Sequence, residues 1–398
     1  MRVAAMPKAF LRATRGYRDV FSAQQLAHAR GYMLGLSVGR EGRNIQDIAG
    51  LYVNGCDQAT LNHFLTDAKW SLDRLWETHR AAVVRKLARQ RPGRVFVSLD
   101  DTVTVKRYGR RMEGAGYHYS KPEKGVVWGH NAVAAIASVG GESLAWGVEM
   151  YRPRRACSGK DFRSKIDLAL GLMETFRGPS GAAVTVLADS WYLCKRLVGA
   201  ARARGFDWVF ACKRNRVVHC AGRRVAVSRL IRRLSLDALK PVTVAGRRYV
   251  VMSCAVDFPG IGPGQLVISA EMPRSGRRMK RRDLWVMATN RRDWTARMVL
   301  AQYLQRRRIE DFFKDAKLHL GLGEYQMRKA RGIQRHWALV ACVHAVLRHI
   351  GHRHKCRTIG QAVRWLEDQT QEATMKWAHA RGRRGVRWRS ICAQPRAA

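Results

Sequence analysis

Two short apolar runs that end on aspartate do most to limit how this chain can fold. Val95-Phe-Val-Ser-Leu-Asp100 and Ala183-Val-Thr-Val-Leu-Ala-Asp189 each predict a buried strand closing on an acid. Between them, Val126–Ile136 and Leu144–Met150 predict further strands around the Gly-rich turn Val139-Gly140-Gly141-Glu142, and 161–176 predicts a helix. A helix through about Arg204 follows the second run, then the strand Trp208-Val-Phe-Ala-Cys, and Leu284-Trp-Val-Met-Ala-Thr-Asn290 is a last strand. Strands alternating with helices predict an α/β sheet. A carboxylate just past a buried strand is held by that sheet, at the edge where α/β sites form.

The flanks have other textures. Residues 20–90 carry apolar residues at helical spacing. Ile45, Ile48, Ala49 and Tyr52 share one face, a break falls near Asn54-Gly55, and Leu61, Phe64 and Leu65 resume the pattern. That is the outline of a helix-turn-helix. Residues 213–283 hold many arginines and several short β-like runs, which predicts a β-rich insertion. The expected organisation is an N-terminal helical DNA-binding region over 1–90, an α/β core in two parts over 91–212 and 284–350 with the insertion at 213–283 between them, and a basic region over 351–398. Its tail from about Lys376 is Arg-rich and expected to be mobile.

With 74 Lys+Arg against 30 Asp+Glu, the net charge is +44. Such an excess opposes compaction by self-repulsion and calls for a polyanionic partner, nucleic acid first. No run of 18 apolar residues predicts a membrane span, and the basic N-terminus lacks the apolar stretch of a secretory signal, although its first acid, Asp19, leaves a transit peptide open. The 9 cysteines include no CxxC pair, as expected of free cytosolic thiols. His349, His352, His354 and Cys356 could bind zinc, but no second ligand pair stands at finger spacing, and a basic exposed segment is the simpler reading.

Tyr303 to Lys317 contains neither Gly nor Pro and predicts one helix. At about 100° per residue, Tyr303, Arg306, Glu310 and Lys317 share one stripe. A salt-bridged surface face is the bland reading. The other is a carboxylate set among cations, suited to a metal ion and a phosphate bound side by side. Three carboxylates, from Asp100 (or its neighbour Asp101), Asp189 and Glu310, would repel one another. A divalent cation relieves that repulsion, and hard oxygen donors suit Mg²⁺ or Mn²⁺.

The spacing of Tyr303, Arg306, Glu310 and Lys317 matches the Tyr-Arg-Glu-Lys signature of bacterial insertion-sequence transposases of the DDE class. Leu-Asp-Asp-Thr (99–102) and Leu-Ala-Asp-Ser-Trp-Tyr (187–192) resemble the strands of that family's first two acids, and the β-rich stretch falls where its members carry an insertion. The resemblance covers about residues 91–350. It implies an RNase H-like mixed sheet flanked by helices, with a β-rich insertion and an N-terminal helical domain. It also implies a metal-binding triad of Asp100, Asp189 and Glu310, with Asp101 kept open as the first acid, and DNA contacts from Tyr303, Arg306 and Lys317. Trp285 matches a tryptophan that stacks on a flipped base in relatives. Implied with these are Mg²⁺ or Mn²⁺, duplex DNA at element ends and target, a homodimer in the synaptic complex, and a cytoplasmic or nucleoid location in a bacterial or archaeal cell. The expected activity is DNA cleavage and strand transfer. The alternatives are an RNase H-like nuclease without strand transfer and an inactive DNA-binding derivative. Asp189 is followed by Ser-Trp-Tyr rather than the Asp-Arg-Glu frequent in the family, which together with Gly-His-Asn (129–131) fits a different branch and leaves the strand-processing route open.

Overall fold

The computed structural model describes residues 2–40, 42–53, 55–273 and 279–384. Five helices open the chain: α1 (Lys8–Ala13), α2 (Ala23–Val38), α3 (Ile45–Gly50), α4 (Gln58–Thr66) and α5 (Leu72–Ala88). Side chains cap the last four: Ser22, Asn44, Asp57 and Ser71 each accept a bond from a first-turn N–H. Ile45 and Ile48 face Leu61, Phe64 and Leu65 in one buried cluster, as the helical spacing predicts. Asn54, in the expected turn, lies outside the described residues.

Strands β1 (Arg94–Val105), β2 (Gly116–Ser120), β3 (Gly125–Val139) and β4 (Glu142–Tyr151) follow, then α6 (Lys165–Glu174), β5 (Ala183–Ala188), α7 (Lys195–Ala203) and β6 (Asp207–Ala211). Ser164 and Asp167 form a reciprocal capping box that starts α6 four residues later than the apolar spacing suggests. β1 runs past Asp100, because Thr102-Val-Thr-Val105 is β-branched throughout and pairs with Gly129–Ala132 of β3. Asp100 is therefore a mid-strand residue and not a strand-end one. At the far end of that pairing, a Cβ on Gly129 would lie 2.1 Å from the Thr104 carbonyl oxygen, so only glycine fits.

The 213–283 stretch is β-rich as expected. It holds β7 (Val217–Cys220), β8 (Arg223–Ala226), α8 (Val227–Arg233), β9 (Lys240–Val244), β10 (Arg247–Phe258) and β11 (Gly262–Glu271), and leads to β12 (Trp285–Thr289). These strands do not form a separate sheet. One mixed 12-stranded sheet runs β2-β3-β1-β5-β6-β12-β11-β10-β7-β8, with β4 on β3 and β9 on β10. Within it, β4-β3-β1-β5-β6 is the RNase H-like order: an antiparallel meander joined through β1 to two parallel strands.

The chain closes with α9 (Ala296–Leu304), α10 (Arg307–His319), α11 (Ala330–Arg353) and α12 (Ile359–Gly382). The helix expected over Tyr303–Lys317 is thus two helices. Gln305 and Arg306 keep helical dihedrals, but their N–H groups bond three residues back, to Gln302 and Tyr303. The reason is packing: α9 lies on β6 and β9–β12, whereas α10 lies on β1, β3, β4 and α12, and one straight helix cannot follow both parts of a twisted sheet. Likewise the expected mobile tail from Lys376 continues α12 as helix to Gly382; residues 385–398 lie outside the described ones.

The N-terminal helices share a hydrophobic core with α10–α12 and one face of β3 and β4. Buried Arg335 of α11 strengthens that join. Its guanidinium lies 3.9 Å from the Trp70 ring centroid and donates to the carbonyls of Phe64, Leu65, Ala68 and Trp70 at the end of α4. Burial pushes its pKa down to about 10.

Candidate active site

Leu99 and Ala188 are partners in the parallel β1–β5 ladder. The next residues, Asp100 and Asp189, therefore stand side by side on strands about 4.8 Å apart. β5 ends there, and Asp189 Oδ1 turns back to accept the Trp191 N–H at 2.8 Å, an Asx-type turn. The third acid arrives from the helix layer. Thr295 caps α9, which delivers Tyr303; Arg306 stands at the junction just before α10, and Glu310 in the first turn of α10, where the helix dipole favours an acid. Ile309, Phe312, Phe313 and Ala316 bury the opposite face of α10 and fix its orientation.

One guanidinium ties these pieces together. Arg306 Nη1 lies 3.2 Å from Asp100 Oδ2 and 2.9 Å from Glu310 Oε1, and its Nε lies 3.4 Å from the Tyr303 hydroxyl. Burial pushes the Asp100 carboxyl up to about 6; Arg306 opposes this, while Asp189 and Asp101 add to it. Burial likewise raises Tyr303 to about 12. Burial works against the Arg306 charge, but Tyr303, Asp100 and Glu310 outweigh it and hold the guanidinium protonated.

Of the expected DNA-contacting residues, Tyr303 and Arg306 join the acids. Lys317 does not: its ammonium donates to the Val103 carbonyl at 2.8 Å, further along β1. Burial lowers its pKa. Trp285 is half-buried at the start of β12, with its ring 5.7 Å from that of Tyr303. A second tryptophan was not singled out in the sequence. Trp191 is 59% exposed next to Asp189, with the Lys213 ammonium 5.3 Å from its ring centroid. The signal was present in Ser-Trp-Tyr, where an indole sits in a turn just past a strand and cannot be buried by that strand.

Asp101 projects to the other face of β1. Lys165 Nζ and Asn131 Nδ2 each lie 2.7 Å from its Oδ2, and the Tyr192 hydroxyl lies 3.4 Å from its Oδ1. The Gly-His-Asn run thereby serves both faces. Its Asn131 holds Asp101, and its His130 accepts from the Tyr325 hydroxyl at 2.9 Å while donating to the Glu113 carbonyl at 3.0 Å. Tyr17–His79 and Tyr32–His336 repeat that arrangement in the core shared by the helices.

Among the described residues, no three acidic, histidine or cysteine side chains converge as they stand into a cage for a metal ion. The donor set nevertheless fits a divalent cation. It is made of hard carboxylate oxygens, its central Asp100 is burdened by burial and by Asp189, and the space between Asp100 and Glu310 already holds a positive group, the Arg306 guanidinium. The His349–Cys356 group turns out differently: His354 stacks on Trp365 with centroids 3.8 Å apart, so this imidazole packs against a ring in the turn between α11 and α12. Among the described residues, no helix is long and apolar enough to cross a membrane.

Comparison with known families agrees with this architecture. A family described as DDE superfamily endonuclease matches residues 17–233, which include Asp100 and Asp189. A second, described as transposase DDE domain, matches residues 163–346, which include Asp189 and Glu310. No curated protein matches the chain. With the first model covering more than half of its length, the chain belongs to the DDE superfamily of endonucleases and is a DDE-type transposase, an enzyme that acts on DNA.

Proposed function

We propose that this transposase binds the ends of its element as duplex DNA, cuts them with a divalent metal, and joins them to a target. The observation that carries this reading is the side-by-side pair Asp100 and Asp189, linked through Arg306 to Glu310. In this reading Asp100, Asp189 and Glu310 hold Mg²⁺ or Mn²⁺. Bound metal activates an attacking oxygen and stabilises the departing one. Asp100 is preferred to Asp101 because the latter is engaged by Lys165, Asn131 and Tyr192. Arg306 exchanges its carboxylate partners for a phosphate, which guanidinium binds as a fork, and so vacates the space between Asp100 and Glu310. Tyr303 donates to a phosphate oxygen beside it, Lys317 takes the next phosphate along β1, and Trp285 supports the Tyr303 ring or stacks on an unpaired base. The exposed side of α4, with Gln58, Asn62 and His63, carries groups able to read base edges. Synapsis of two ends calls for a homodimer, acting on DNA in a bacterial or archaeal cytoplasm.

The test is a strand-transfer assay with duplexes carrying the element ends in Mn²⁺. Joined product that disappears in Glu310→Ala is expected. Cleavage without joining would replace this reading with that of a nuclease. DNA binding with no cleavage, unaffected by Glu310→Ala, would sink both.

A further inference from the structure

Four of the large apolar side chains that the fold leaves exposed lie in the segment that follows the strand carrying Asp100. Tyr108 is 97% exposed, Tyr119 67%, Val126 66% and Tyr117 55%. They belong to the β2–β3 hairpin and the loop that precedes it. Tyr117 faces Trp128 across the hairpin, and Tyr119 faces Val126, so all four of these lie on one surface of the ribbon. Residues of β3 alternate faces, and its register with β1 is unbroken from Ala134, opposite Asp100, to Gly129, opposite Val105. Trp128 and Val126 therefore share the face of the sheet that bears Asp100. His118, of opposite parity, is buried on the Asp101 side and senses Lys165 and Asp101.

Cations interleave with these rings. Arg110 lies 5.2 Å from the Trp128 centroid and 6.0 Å from that of Tyr117, and bonds the Tyr117 hydroxyl at 3.1 Å. Arg155 lies 5.6 Å from the Tyr117 centroid on another side. Lys121 and Lys124 hold the hairpin turn, where the acid Glu123 is spent on Arg107 at 3.5 Å. A second copy of a chain with net charge +44 is a poor occupant for such a surface. A polyanion with flat apolar groups is a good one. Bases offer a π-face to a protein ring only when they are unstacked, which in duplex DNA they are not.

We propose that the β2–β3 hairpin is a stacking platform for unpaired nucleotides, and that it receives a single strand leaving the catalytic centre along the edge of β1 that β5 leaves unpaired past Leu99. From Asp100 to Val105 the strand advances about 17 Å, roughly the reach of a few extended nucleotides, and Lys317, bonded to Val103, stands on that path. The proposal rests on the reading of Asp100 as part of the DNA-cutting centre, and its test separates the two.

The full chain is titrated by fluorescence anisotropy against a short labelled oligothymidylate and against a duplex of equal length. In parallel, Mn²⁺-dependent duplex cleavage is measured. Tyr117→Ala/Tyr119→Ala should weaken oligothymidylate binding about tenfold or more, since each base–aromatic stack contributes strongly. Duplex affinity should stay within about twofold, because phosphate contacts remain. Tyr119→Phe should keep the parent affinity. Tyr119→Ala alone removes one exposed ring and serves if the double variant misfolds. Unchanged oligothymidylate affinity in both alanine variants overturns the platform, as does an equal loss for oligothymidylate and duplex. Loss of self-association with oligothymidylate affinity intact also overturns it, and reassigns the surface to a protein contact. If those failures occur in a chain that cleaves duplex, the platform alone falls. Tyrosine-dependent oligothymidylate binding in a chain that does not cleave supports the platform and removes the cutting centre.

Discussion

Replacing Arg306 by alanine removes the positive group that bridges Asp100 and Glu310. Two unit charges about 4 Å apart attract by about 4 kcal/mol at an effective dielectric near 20. Glu310 is 57% exposed, so solvent screens its share to below about 1 kcal/mol. Arg306 and Asp100 are only 16% and 19% exposed, and their contact carries most of the effect. After the desolvation of both groups is set against it, loss of Arg306 should cost about 2 kcal/mol, short of the 3–5 kcal/mol typical of a fully buried pair. A divalent ion competes with the guanidinium for the same oxygens. Without that competitor, Mg²⁺ should bind about thirtyfold more tightly, the factor that corresponds to about 2 kcal/mol. Calorimetric titration of parent and variant with Mg²⁺ at about pH 8.5 measures this, because at that pH proton uptake by the raised Asp100 carboxyl interferes least. Urea unfolding without metal should show the variant less stable, and cleavage should be lost with the phosphate contact. Equal or weaker Mg²⁺ affinity in Arg306→Ala would refute the competition.

The acids give a paired expectation: Asp189→Asn should abolish cleavage with end binding nearly intact, whereas Asp101→Asn should lower stability to urea by about 1–3 kcal/mol and leave measurable cleavage. Cleavage abolished in Asp101→Asn with stability unchanged would move the first acid to Asp101. Burial holds His79 and His130 down to about 4 and His336 to about 3. These rings stay neutral in the folded protein while the unfolded chain takes up protons, so stability is full above about pH 6.5 and falls by about 1.4 kcal/mol per pH unit per histidine as pH drops toward 4. A melting temperature that is flat from about pH 7.5 to about pH 5.5 contradicts this. Lys317→Ala should reduce the slope of log affinity against log salt for duplex binding by about one, and an unchanged slope removes Lys317 from the phosphate contacts.

What could be read beforehand follows from how local each signal is. The strands holding Asp100 and Asp189 are apolar runs whose burial is written in their own residues, and the spacing from Tyr303 to Glu310 survives the junction at Gln305–Arg306 because a tightened turn keeps residues three apart on one side. The junction itself depends on the twist of strands far away in sequence. So does the fate of Lys317, which helical spacing puts with Glu310 but which the end of β1 captures. The choice between Asp100 and Asp101 needs the partners of both faces, and Lys165 lies 64 residues from Asp101. The short strand β2 is not legible because Gly116-Tyr-His-Tyr-Ser120 turns its tyrosine rings outward and its small and polar groups inward, the reverse of a core-facing strand.

Among the described residues, no carboxylate bonds Arg335. Four carbonyl dipoles and the Trp70 ring solvate its charge. Peeling the end of α4 from α11 would break these charge-assisted bonds and the ring contact together, which fastens the two elements to each other. The exposed side of α4 therefore moves as one body with the layer that carries Glu310. If α4 reads base sequence as proposed, that sequence stands at a constant offset from the acids, and the distance from recognition to cut follows from the packed core rather than from a linker's length.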